Sequence, residues 1–271
     1  MRRVVLAFAA TVEGGGAAVR DALVDPNRLR RMDRFGRSGV LAGARALSAA
    51  GIAAAAPGAA PDPRFGVVVG TALGCRDAIT QHERLLAAAS RVEDLAPSVF
   101  AATVHNTVAG ELAIGWGLGG PAETLVSGRT AGLEALVLAA SRVAKGDADR
   151  ILVVAAEGID DAMREAFLRE NPGSQLVESS AAVLLEAEEE EEEISLSKRR
   201  GAAFVEAALT FDPAPPRPGA PPIERLGATG LWEIARDLAE PRSPSKKIRI
   251  HRYAALDVHG SRCAVALEFF S

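Results

Sequence analysis

The stretch best suited to chemistry runs Glu123-Thr-Leu-Val-Ser-Gly-Arg-Thr-Ala-Gly-Leu-Glu-Ala-Leu136. An apolar strand enters a tight Ser-Gly corner and passes straight into a helix. That geometry presents a nucleophile above a sheet, at the positive end of a helix dipole. The corner residue here is Arg129. A guanidinium keeps its proton and offers donors without a lone pair, so it cannot attack an electrophile. The frame of an active site is present and its reactive atom is replaced. Cys75, in Thr71-Ala-Leu-Gly-Cys-Arg76, is expected at a strand end near a helix start. It is either a substitute nucleophile, with His105 as its partner, or a small buried apolar residue. His82-Glu83 opens a zinc-protease pattern, but position 86 is leucine and the second ligand is missing. The remaining histidines, His251 and His259, have no evident partner. No phosphate loop, serine elbow or dinucleotide fingerprint occurs, and Cys75 and Cys263 have neither disulfide nor metal spacing. No metal and no cofactor is expected.

The elements that must position these residues alternate. Val40, Leu41, Ala44 and Leu47 repeat at helical spacing up to Gly51, a good C-terminal cap. Phe65-Gly-Val-Val-Val-Gly-Thr71 is a continuous apolar run, expected of a strand covered on both faces. A helix is predicted over 131–145, with Leu133, Leu136, Val137, Ala140 and Val143 inward and Gly146 closing it. Arg150 to Ala156 reads as the next buried strand. Strand, helix, strand with short connections implies right-handed crossovers and a mostly parallel sheet between helices.

The second half repeats the theme weakly. Strands are predicted over 181–186 and 204–209, a short helix over 231–238, and final strands over 248–253 and 262–270. Six glutamates at 188–193 repel one another and fit a solvated hairpin tip, followed by Lys198, Arg199 and Arg200. The Pro-rich stretch 212–222 fits an extended linker.

At 271 residues, 48% apolar and 24% charged, the chain is long enough to bury a sizeable core as one large domain or two fused halves. A net charge of -4 argues against general nucleic-acid binding. The start, Met-Arg-Arg-Val-Val-Leu-Ala-Phe-Ala-Ala10, has the outline of a signal peptide, but its β-branched pair and the turn at Glu13-Gly-Gly-Gly16 favour a first buried strand. No stretch approaches the ~18 apolar residues of a membrane span. A reduced, cytoplasmic setting is the expectation.

Several motifs in order resemble the β-ketoacyl synthases of the thiolase fold. They are Met32-Asp-Arg-Phe35, Gly-Val-Val-Val-Gly-Thr71, Pro97-Ser-Val-Phe100, Asn106-Thr-Val-Ala-Gly110, Gly117-Leu-Gly-Gly-Pro121, Glu178-Ser-Ser-Ala-Ala-Val-Leu-Leu-Glu186, Leu226-Gly-Ala-Thr-Gly-Leu-Trp232 and His259-Gly-Ser-Arg-Cys263. The resemblance implies an α/β, layered αβαβα fold of two similar halves with mixed, mostly parallel sheets. The halves would be 1–157, carrying the vestigial elbow, and a shortened 158–271, together one compact unit.

The departures carry the functional expectation. The family needs a cysteine where Arg129 stands, a histidine in a central loop where 210–223 has none, and a second histidine where Glu224 stands. Condensation needs a thiolate to hold the acyl chain and histidines to polarise the thioester. The resemblance therefore implies a catalytically silent subunit like a chain-length factor. Such a subunit pairs with an active ketosynthase and shapes the acyl tunnel in fatty-acid, polyketide or aryl-polyene-type synthesis. The rivals are an unorthodox acyltransferase using Cys75, and a homodimeric scaffold that binds acyl groups or carrier protein. Interface and tunnel positions implied are His105, Asn106, Thr107, Thr124, Val126 and Arg129. Arg28, Arg30, Arg31 and Arg34 are either a solvated face or a patch for an acidic acyl carrier protein. At a helix N-terminus a guanidinium is disfavoured, so Arg129 is expected to reach Glu157, Glu178 or Glu224, or else solvent or the interface.

Overall fold

Two layers of side chains, one on each face of a single sheet, account for the order of the elements. The computed structural model describes residues 4–13, 24, 26–91, 93, 97–187, 203–209, 223–224, 226–239, 249–256 and 262–269. Strand β1 is Val4–Glu13; helices α1 (Pro26–Leu29) and α2 (Arg34–Ala49) precede β2 (Phe65–Thr71). Helices α3 (Arg76–Ala88), α4 (Pro97–Ala101) and α5 (Thr107–Trp116) lead to β3 (Ala122–Val126). A short 3-10 turn, Gly128–Thr130, opens α6 (Ala131–Lys145), which returns to β4 (Arg150–Ala156). Then come α7 (Asp161–Glu170), β5 (Gln175–Leu176), β6 (Ser179–Ala187), β7 (Ala203–Leu209), β8 (Ile223–Glu224), α8 (Thr229–Ala239), β9 (Arg249–Leu256) and β10 (Arg262–Phe269).

Because strand side chains alternate, neighbours in β2 belong to different cores. Val68, with Ile151 and Val153 of β4 and Val183 and Leu185 of β6, packs under α6 and α8 through Leu133, Leu136, Val143, Leu231 and Ile234. Val67 and Val69, with Leu152, Val154, Ala182 and Leu184, pack under α2 and α5 through Phe35, Leu41, Leu47, Val108 and Leu112. All seven residues of β2 are buried, as its unbroken apolar run requires. α6 has the predicted bounds and ends at Gly146 with φ 83°, the left-handed cap a glycine adopts readily.

The sheet order is β3-β2-β4-β6-β1-β7-β10-β9. β2 runs parallel to β3 and β4, while the pairs β4–β6, β6–β1, β1–β7, β7–β10 and β10–β9 are antiparallel. The α/β class and the mixed sheet stand. The expected excess of parallel pairs does not, and the described residues form three layers around one eight-stranded sheet, with only the small pair β5–β8 outside it. For one of these pairs connection length is the physical reason, since parallel neighbours need a crossover of a dozen or more residues. β9 and β10 are separated only by 257–261, enough for a hairpin. The glutamate run 188–193, the Pro-rich stretch 212–222 and His259 lie outside the described residues.

Among the described residues, no helix is long and apolar enough to cross a membrane.

Candidate active-site frame

The elbow forms where the sequence places it. β3 ends at Val126, Gly128 takes φ 67°, and α6 begins at Ala131. A left-handed residue at the corner lets the chain reverse within one short turn, and glycine does so without a Cβ penalty. The buried Thr130 hydroxyl lies 3.1 Å from Ser127 O and against the Glu134 carboxylate, which fixes the start of the helix. Arg129 is half-buried in this turn, at the corner between β3 and α6.

Beneath the elbow lies a residue whose role the sequence did not announce. Glu157 follows β4 and is completely buried. Its carboxyl accepts from the Ala72 and Leu73 amides, the Thr71 hydroxyl and the Gly227 backbone. Burial pushes its pKa up to about 8, and the same hydrogen bonds pull against that rise. The fit is close: a Cβ on Gly227 would stand 2.6 Å from Glu157 Oε1 and 3.0 Å from Gly128 O. One carboxyl thus ties the end of β2, the end of β4 and the turn Leu226–Ala228 together behind Arg129.

Of the carboxylates expected to meet Arg129, Glu157 already accepts from donors at 71–73 and 227. Glu178 is buried as well; it accepts from Ile159 N at 3.3 Å and lies 3.6 Å from Arg34 Nη1. Glu224 ends β8, opposite Leu176 of β5 and just before the turn that meets Glu157.

The structure also brings together two candidates separated by thirty positions in sequence. Cys75 stands at the start of α3 without a side-chain capping bond, and its Sγ lies 3.4 Å from His105 Nδ1. The Cys75 backbone N–H donates to the same Nδ1 at 3.4 Å. The ring sits against Gly74, which has φ 59° and where a Cβ would come within 2.1 Å of Nδ1. Cys75 is nevertheless fully buried, and burial, then the negative charge of Asp33, pushes its thiol up to about 11. A thiol in that state is a poor nucleophile at neutral pH. Asp33 caps α2 by accepting from Gly36 N at 2.8 Å; its other oxygen is buried without a partner, and burial raises its pKa to about 6.

The remaining predicted positions lie on β3, at the start of α5 and around α1 and the start of α2. β3 is an edge strand of the sheet, with Val126 48% exposed, and Ile114 on α5 is 74% exposed. Thr124 Oγ1 and Ser127 Oγ are buried with no hydrogen-bond partner among the described residues. Asn106 is exposed at the start of α5 without a side-chain cap bond, and the Thr107 hydroxyl donates to Val104 O at 2.7 Å. Of the four arginines, Arg28 is held by Glu111 and Arg34 lies against Glu178; Arg30 bonds Asn27 at 2.7 Å and Arg31 is exposed. Among the described residues no group of three or more His, Cys, Asp or Glu side chains is placed to hold a metal ion.

This geometry has known counterparts. The family model "Beta-ketoacyl synthase, N-terminal domain" matches residues 21–190. A 3-oxoacyl-[acyl-carrier-protein] synthase 2 of Vibrio cholerae is 35% identical over 129 residues, covering 47% of this chain and 30% of that protein. A putative polyketide beta-ketoacyl synthase 1 of Streptomyces virginiae is 30% identical over 131 residues, covering 46% and 30%. The matched segment thus spans under a third of either relative. Among solved structures, the ishigamide ketosynthase/chain length factor superposes with a TM-score of 0.73 at 18% identity, covering 99% of each chain. A type II polyketide ketosynthase in complex with its acyl-carrier protein gives 0.71 at 15% identity, again covering 99% of each. At these identities the structural likeness speaks for the fold.

Proposed function

The chain belongs to the β-ketoacyl synthase family, and we propose that within it the protein is a catalytically silent subunit of the chain-length-factor kind. It pairs with an active ketosynthase in the cytoplasm and walls part of the tunnel that holds the growing acyl chain. The observation that carries this reading is Arg129 at an otherwise intact elbow. The turn, the helix start and the supporting carboxyl are in place, while the residue at the corner has no electron pair to form an acyl bond.

The open edge at β3 supplies the second support. Among the described residues β3 ends the sheet, and an open edge strand invites another strand. A ketosynthase seated on this edge would complete the sheet. Thr124, Val126, Asn106 and Thr107 would lie at or beside the contact, and the exposed Arg30 and Arg31 would meet the acidic carrier protein. In this reading the segments 1–157 and 158–271 act as one unit, the first carrying the interface.

The test is assembly. Co-expressed with a ketosynthase that carries a cysteine elbow, the chain should purify as a 1:1 complex burying more than the ~2,000 Å² typical of obligate partners. Thr124→Pro, which bars strand pairing at the edge, should abolish it. A chain that remains monomeric beside a folded ketosynthase would overturn the proposal. A stable homodimer that ignores the ketosynthase would replace it with the scaffold reading.

A further inference from the structure

Helix α3 is attached to the body of the protein chiefly through its first turn. Of its 13 residues only Ala78 is buried, with Ile79 partly buried beside it against the core under α2 and α5. Gln81 and every residue from Glu83 to Ala88 are exposed. The chain enters the helix through Gly74, left-handed at φ 59°, and through Cys75, which is fully buried against His105. Farther along, the ring of His82 meets Phe100 of α4 edge-on at 5.9 Å.

That first turn rests on one carboxyl. Asp33 caps α2 by accepting from Gly36 N at 2.8 Å, and the Ala78 backbone N–H of α3 favours its charged form from the other side. One side chain thus joins the starts of two helices. Its Oδ2 is nevertheless buried with no hydrogen-bond partner among the described residues. The charged groups facing it are Arg37 of α2 and Asp77 of α3, with the Cys75 thiol alongside and His105 behind that thiol. Arg37 Nε is occupied by the Asp33 backbone carbonyl at 3.3 Å. A neutral carboxyl leaves only an unmade hydrogen bond at Oδ2, whereas an ionised one leaves a buried charge beside a second carboxylate. Burial first, then Asp77, accounts for the rise of its pKa to about 6.

We infer that α3 is a pH-sensitive flap: protonated Asp33 holds its first turn against α2, and ionised Asp33 lets the helix swing away about Gly74, with Cys75 staying on His105. The sign follows from proton linkage. Undocked, Asp33 stands in water and titrates at its ordinary 3.8; docked, it titrates at about 6. The docked state therefore binds more protons in that interval, and docking weakens as pH rises through it. Above the docked value both states are ionised and the effect levels off. Between pH 5 and 7 the undocking equilibrium rises about tenfold. The flap does not depend on pairing with a ketosynthase.

Native-state hydrogen exchange on the full chain tests it. An undocked helix of 13 residues is marginal in water, so its amides exchange once it swings free. Corrected for intrinsic exchange, opening over 79–88 should increase about tenfold from pH 5 to 7. It should level off where the Asp33 carboxyl completes its titration, followed by its ¹³C shift. The β2 amides, which report global unfolding, should stay far more protected throughout. Asparagine keeps the oxygen that caps α2 and cannot ionise, so Asp33→Asn should remove the pH dependence. Opening of α3 that is independent of pH, or that only follows β2, overturns the inference. A pH dependence that survives in Asp33→Asn also overturns it and places the titration on His82 or His105. Should Asp33→Asn fail to fold, the unaltered protein decides alone: α3 opening that keeps rising after the Asp33 carboxyl has titrated refutes the flap.

Discussion

Replacing Glu157 by glutamine should remove a specific part of the protein's pH dependence. The carboxyl titrates near its ordinary 4.5 in the unfolded chain and near 8 in the folded one, because burial disfavours the charge. Between those values the unfolded chain holds fewer protons at this site, so stability falls as pH rises. At about 1.4 kcal/mol for each pH unit, the whole interval corresponds to a loss on the order of 5 kcal/mol. The donors from Ala72, Leu73, Thr71 and Gly227 all favour the ionised form and are already included in that value. Glutamine keeps the shape of the protonated acid and cannot ionise. Urea unfolding at one-unit steps from pH 5 to 9, followed by fluorescence of the two tryptophans, gives the difference between unaltered protein and variant. Asp33 also titrates upward-shifted, but it is common to both proteins and cancels. Near pH 5 the two should agree within about 1 kcal/mol, and by pH 9 the unaltered protein should have lost several kcal/mol relative to Glu157→Gln. Parallel curves across the range would show that the four donors outweigh burial and that Glu157 is ionised throughout.

Gly74→Ala should cost about 2 kcal/mol or more, since it combines a left-handed backbone with a Cβ 2.1 Å from the His105 ring; thermal unfolding measures it, and an unchanged midpoint would contradict the packing. In the native state Cys75 should resist iodoacetamide up to about pH 9 and label only on unfolding, because its thiol is buried and raised to about 11; rapid native labelling, read by mass, would refute this. Arg30→Glu with Arg31→Glu should weaken carrier-protein binding by tenfold or so, while Arg28→Glu, already committed to Glu111, should act chiefly on stability. Equal effects on binding from all three sites, by calorimetry, would show that the pair with Glu111 opens on docking.

The sequence made the frame legible because each element there is strongly patterned. The unbroken apolar run of β2, the helical spacing of α6 with its closing Gly146, and the Ser-Gly corner between them each have one physical solution. The order of strands beyond β6 was not legible, because an alternating strand such as 262–269 is compatible with either pairing direction, and only the short 257–261 connection decides it. Glu157 was named only as a possible partner for Arg129. Its donors come from 71–73 and from 227, and nothing local in Ala-Ala-Glu-Gly announces such distant amides. The one available signal was a glutamate ending a wholly apolar strand. Cys75 and His105 are both visible as candidates in the sequence, but their contact depends on the bare face of Gly74, which no local pattern announces. Likewise Arg28 looked like one of four equivalent arginines until Glu111, 83 positions away, proved to hold it.

The central claim is that this chain carries no acyl group of its own while its partner does. Intact-protein mass spectrometry of the co-purified complex, after incubation with an acyl-carrier-protein thioester, reads both subunits at once. An acyl increment is expected on the ketosynthase and none on this chain, and isolated Arg129→Cys, incubated with malonyl thioester, should show no condensation because neither expected histidine position holds a histidine. An acyl increment on this chain as it stands, whether at Cys75 or elsewhere, or condensing activity in isolated Arg129→Cys, would contradict it.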